Sequence, residues 1–153
     1  MKWSKQNIQQ YKEAKEYIDT LLIPLIPIQF SPDDALEKNA FERELLEILS
    51  YEIEKDLAGR MMLTPHYVYL KGADKESESH RLNCWVKEAT VQPFNHCFFM
   101  TFDTTWKKYE RQLEGTLLWL PSMQSGDLRS SEMHTMIRDQ VKQISELIRS
   151  YWA

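Results

Sequence analysis

Glycine is scarce in this chain: Gly59, Gly72, Gly115 and Gly126 are the only four, and each stands alone. The dinucleotide fingerprint and the phosphate-cradling P-loop both need clustered glycines directly after a strand, so both are excluded. Cysteine is scarcer still. Cys84 and Cys97 lack the C-x-x-C spacing of a redox or zinc motif, and no paired histidines complete one. Two free, buried thiols are expected, with no disulfide framework, no metal and no cofactor. Long apolar runs are missing too. The longest, Leu21 to Ile28, is interrupted by Pro24 and Pro27 and falls well short of the roughly 18 residues of a membrane span. Met1-Lys2-Trp3-Ser4-Lys5 leads into a polar stretch, which predicts no signal peptide, no membrane insertion and a cytoplasmic protein.

At 153 residues the chain fits one domain, 1–153, and can bury roughly 70% of its unfolded surface without staples. Apolar residues make up 42% and charged residues 27%, which argues for a packed core over disorder. The net charge of −4 is uneven, because residues 31–60 hold nine acids against four bases, a local −5 that leaves +1 elsewhere. No basic cluster is available to neutralise phosphates along a nucleic acid, so none is expected as a partner.

Periodicity divides the chain into alternating elements. Ser4 caps a first helix with Ile8 and Tyr11 inward, and Leu21–Ile28 reads as a strand. After Ser31-Pro32, a long helix carries Phe41, Leu45, Ile48, Leu49, Ile53 and Leu57 at steps of three and four, and Gly59 closes it. Met61–Leu70 is a second strand broken or kinked at Pro65, followed by a polar connector and a helix with Leu82, Trp85, Val86 and Ala89 inward. His96–Phe102 and Thr116–Leu120 are further strands, with a short helix through Trp106 and Tyr109 between them. A last helix carries Ile137, Val141, Ile144, Ile148 and Tyr151. Strands alternating with helices predict a layered α/β domain, its roughly four-stranded and largely parallel sheet flanked by helices. Pro24 and Pro27 remove donors on opposite sides of their strand, which favours the proline-free strands 97–102 and 116–120 for the middle of the sheet.

Met1-Lys2-Trp3, Tyr11 to Thr20, Ile23-Pro24-Leu25 and Ala58-Gly59-Arg60-Met61 together resemble the YpiF-like family of small proteins from Gram-positive bacilli, over nearly the whole chain. That family is a domain of unknown function, so the resemblance implies no activity and no site residues. A local likeness of Leu45 to Leu63, a leucine-rich helix ending in Gly-Arg before a strand, is to the N-terminal module of the TolB and CsgG families. It implies some antiparallel pairing in the sheet.

For chemistry, the strand ends are the place to look, since ligands of open α/β sheets collect at the carboxyl ends of strands. Asp103, Thr104, Thr105, Ser122 and Lys71 converge there if the strands are parallel. A plainer role for Asp103 is to cap the helix that follows, and Asp33-Asp34 similarly reads as capping and dipole compensation. His96 and Cys97 are neighbours on a strand and face opposite ways, so they cannot serve each other as base and nucleophile. Trp3 and Trp152, at the two ends, either cover the edge of their own core or form an interface, where tryptophan is enriched. Two function classes follow. The favoured one is a non-enzymatic accessory module that binds a partner protein; the alternative is a small enzyme or ligand binder centred on Asp103. Self-association is left open.

Overall fold

The computed structural model describes residues 1–121 and 126–153. Its sheet is organised around β1 (Thr20–Ile28), whose first seven residues are buried or nearly so. On one side β1 pairs with β4 (His96–Thr101), and β4 pairs with β5 (Thr116–Trp119). On the other side it pairs with β2 (Met61–Leu63) and then β3 (Tyr67–Leu70), laid end to end. The break between them falls at Thr64-Pro65-His66, as the proline predicts. Every pairing among the described strands is parallel, so the antiparallel pairing implied by the TolB and CsgG likeness does not occur there.

The prolines require a correction. β4 and β5 are adjacent as expected, but β5 is an edge strand and the proline-bearing β1 is central. The reason lies in which side each proline faces. The Leu22 carbonyl accepts from Thr64 N–H on the β2 side, and the Ile28 carbonyl accepts from Lys71 N–H on the β3 side. Even-numbered residues of β1 therefore face β2 and β3, and odd-numbered residues face β4. Pro24 consequently lies opposite the gap between β2 and β3, where no ladder bond is due. Pro27 faces the β4 side three residues past Pro24, the last residue paired with β4. Neither missing N–H leaves an acceptor stranded, and the Pro27 carbonyl takes the Asn39 side-chain amide at 2.7 Å.

Helices cover both faces. On one, α2 (Asp33–Asp56) and α4 (Ser131–Trp152) pack Leu45, Leu49, Ile53, Ile137, Ile144 and Ile148 against Leu22, Ile26, Phe98 and Met100. On the other, α1 (Lys5–Glu13), α3 (Lys75–Thr90) and a 3-10 helix at Thr104–Gln112 pack Tyr11, Leu82, Val86 and Trp106 against Ile23, Leu25, Phe99 and Leu117. The alternation of strand residues between the two cores is the period of two of a strand. The last helix thus packs on the sheet. Asp33 and Asp34 occupy the first turn of α2 but make no capping hydrogen bond, so they act on the helix dipole alone. Gly59 has φ +94°, the left-handed conformation expected after α2. No helix among the described residues is long and apolar enough to cross a membrane.

Leu49→Ala should lower stability by about 2–5 kcal/mol in urea melts, since Leu49 is only 2% exposed in the α2 core. A loss below about 1 kcal/mol would contradict that burial. Gly115→Ala should cost about 1–3 kcal/mol through overpacking. Its Cβ would lie 2.6 Å from Phe99 Cε2 and 3.0 Å from the Cys97 carbonyl oxygen.

Candidate functional site

The chain leaves β1 toward the α2 face and leaves β4 toward the face of the 3-10 helix. A crevice opens where two adjacent parallel strands send their connections to opposite faces, and open α/β sheets bind ligands there. Here it is a cleft of about 330 Å³. Gln29 and the first turns of α2, with Lys38 and Asn39, form one wall; Phe102, Asp103, Thr104 and Thr105 form another, and Lys71 closes the β3 side. The structure therefore brings Lys71, Asp103, Thr104 and Thr105 together as the sequence predicts. Ser122 lies outside the described residues. Lys38, Asn39 and Gln29 were missed. The available signal was position, because the start of a helix that follows a central strand borders the same crevice as the strand end.

Asp103 does more than cap. Its Oδ1 accepts from the Thr105 N–H at 3.1 Å and the Thr105 hydroxyl at 2.6 Å, at the start of the 3-10 helix. Its Oδ2 accepts from the Tyr69 hydroxyl at 2.6 Å, and Tyr69 in turn accepts from Trp106 Nε1 at 2.7 Å. The Lys75 ammonium stands 3.8 Å from Oδ2 and donates to the Lys71 carbonyl at 3.2 Å. Burial pushes the Asp103 carboxyl up, but the Thr105 and Tyr69 hydrogen bonds and the Lys75 charge outweigh it and hold the group below the usual carboxylate range. Burial and the facing carboxylate raise the Tyr69 phenol far above its ordinary value. Both carboxylate oxygens are occupied from within, and the side chain is 4% exposed. By contrast, the Lys38 and Lys71 ammoniums and the Thr104 hydroxyl have no hydrogen-bond or ion-pair partner among the described residues.

A second concavity lies on the opposite core. The N-terminal segment is fixed along β2: the Met1 ammonium sits 2.5 Å from Glu54 Oε1, and the Leu63 N–H donates to the Met1 carbonyl at 2.7 Å. This places Trp3, 64% exposed, at the mouth of an apolar groove of about 480 Å³ between α1 and α3. Ile8, Tyr11, Met62, Trp85 and Phe94 line it, and Lys12, Lys15 and Glu88 stand on its rim. The two terminal tryptophans thus differ. Trp152 packs against its own core, donating Nε1–H to Thr20 Oγ1 at 2.8 Å beneath the Arg60 guanidinium.

The cysteines also differ. Cys97 is buried, and burial pushes its thiol up to about 11. Cys84, expected in the core, is exposed on the groove wall. The inner stripe of α3 is Leu82, Val86 and Ala89, and position 84 falls off that stripe. Trp85, expected inward, is 38% exposed and meets the Tyr67 ring edge-on. No group of three or more metal-ligating side chains lies together among the described residues.

The family model described as a protein of unknown function, DUF2487, matches residues 9–152. The chain belongs to that family. It is also 26% identical to the uncharacterized protein YpiF of Bacillus subtilis (strain 168), over 100% of this chain and 99% of the relative. No solved structure matches it. The YpiF-like resemblance is therefore established over the whole chain, and it brings no activity with it.

Two measurements check this geometry. A thiol reagent should label Cys84 rapidly in the folded protein and Cys97 only on unfolding; fast labelling of Cys97 would contradict its burial. Asp103→Asn should cost about 1–3 kcal/mol at neutral pH, because it weakens charge-assisted bonds and leaves Lys75 without its counter-charge. A carboxyl whose folded pKa is depressed stabilises the fold above its ordinary range and loses that contribution as pH falls through the folded value. Urea melts should therefore show the gap between wild type and variant closing below about pH 4, where unfolded carboxyls protonate. A gap independent of pH would show that the ionised form is not what the network recognises.

Proposed function

We propose that this protein is a cytoplasmic, non-enzymatic accessory module that binds a partner protein through the groove beneath Trp3. One observation carries the reading: a large aromatic side chain held in solvent over an apolar concavity by an anchored N-terminal segment. Contiguous exposed apolar surface on a folded chain marks interaction sites, and tryptophan is over-represented among the residues that dominate binding energy. Asp103, the centre of the catalytic alternative, has both oxygens engaged by Thr105 and Tyr69, which supports the binding reading. Lys12 and Lys15 on the rim, against the single Glu88, favour an occupant segment with apolar anchors and an acidic flank.

The test uses the exposed thiol as a reporter. Complexes isolated from the native source should dissociate at least about 30-fold more readily when Trp3 is replaced by Ala, the loss typical of a binding hot spot. Cys84 should be shielded from thiol reagents in the wild-type complex, and crosslinks should map the occupant to an acidic, apolar segment. Retention of the same complex by Trp3→Ala, or unchanged Cys84 labelling, would place the interface elsewhere. An amphiphilic small molecule found in the groove by native mass spectrometry would replace the protein partner.

A further inference from the structure

We propose that the strand-end cleft is a separate binding site for the phosphate monoester of a small organic group, held by Lys38 and Lys71. Size and position are the first ground. A cleft of about 330 Å³ is within the range of small-molecule sites, and it lies at the point where the connections of β1 and β4 part to opposite faces.

Charge is the second. Lys38 and Lys71 come from different elements and line the same cleft, and neither ammonium has a partner among the described residues. Asp103 does not neutralise them, because its carboxylate is buried and bound by Tyr69, Thr105 and Lys75. Glu42 is the other carboxylate on the wall; Lys75, which does not line the cleft, offsets Asp103 from behind, and this sets Lys38 and Lys71 against Glu42. Asp33 and Asp34 offset the dipole of α2, so attraction for an anion rests on the lysines and not on the helix end.

The shape of the lining sets the rest of the ligand. Lysine is a compact point charge suited to phosphate, and the Thr104 hydroxyl supplies a further donor beside it. Pro27, Ala35 and Phe102 give the cleft an apolar part that an inorganic ion would leave uncovered. A phosphate carrying an organic group satisfies both.

The full chain should be titrated by NMR and calorimetry with inorganic phosphate and, separately, glycerol 3-phosphate. The ester should bind more tightly than the ion, with amide shifts centred on Lys38, Lys71 and Thr104. Lys38→Gln and Lys71→Gln should each weaken ester binding by about tenfold or more, the worth of one charge-assisted hydrogen bond, with melting temperatures near wild type. Thr104→Val provides a second variant without a charge change and should weaken binding by a smaller factor. Trp3→Ala should leave ester binding intact, which separates this site from the groove. Absence of binding by both probes up to about 10 mM, a ceiling equivalent to about −2.7 kcal/mol, would overturn the proposal. So would binding that survives the double Lys38→Gln/Lys71→Gln substitution. Equal affinity for the two probes would overturn the organic half of the ligand.

Discussion

The structure depends on β1 being hydrogen-bonded on both edges and covered on both faces. A strand in that position admits no unpaired donor or acceptor, because each buried polar group left without a partner costs about 1–3 kcal/mol. Two prolines three residues apart would ordinarily bar such a strand from the centre. They are accommodated because the second strand is split, and the split lies opposite Pro24, while pairing with β4 has ended before Pro27. Pro65 and Pro24 therefore belong to one arrangement. The interruption of one strand removes the ladder bond that its neighbour cannot make.

Both concavities follow from that central strand. The polar cleft opens beyond its carboxyl end, and the apolar groove reaches Leu21 near its amino end on the opposite core. At about 3.3 Å per residue, Leu21 and Gln29 are roughly 25 Å apart, far enough for substitutions at the two places to act independently. Behind Asp103 on the cleft wall lies a buried polar layer that runs from Asp103 through Tyr69 to Trp106, with Lys75 beside it. It ties β3, α3 and the 3-10 helix to the end of β4. A satisfied network of this kind fixes geometry, and removal of one member leaves others buried without partners.

Much was legible in the residues. The order of elements, the break at Pro65 and the α2 stripe of Leu45, Leu49 and Ile53 follow from period and punctuation. The convergence of Lys71, Asp103, Thr104 and Thr105 followed as well, since strand ends gather on one side once the strands are parallel. Local sequence determines these because the forces are local: side-chain alternation, helical spacing and the missing N–H of proline.

Other features were settled only by tertiary contacts. Whether Asp103 faces a ligand or its own fold depends on Tyr69 and Lys75, 34 and 28 residues earlier in the chain. The same holds for the terminal tryptophans. Trp152 finds Thr20 and Arg60 and is covered, whereas Trp3 is held outward by bonds from Met1 to Glu54 and Leu63. Cys84 and Lys38 likewise took their surroundings from the packing of α3 and α2. The sequence by itself determined which segments form strands and helices and which faces are apolar. Which buried polar groups are satisfied from within, and which tryptophan stays in water, was decided by tertiary structure, because those outcomes depend on partners distant in the chain.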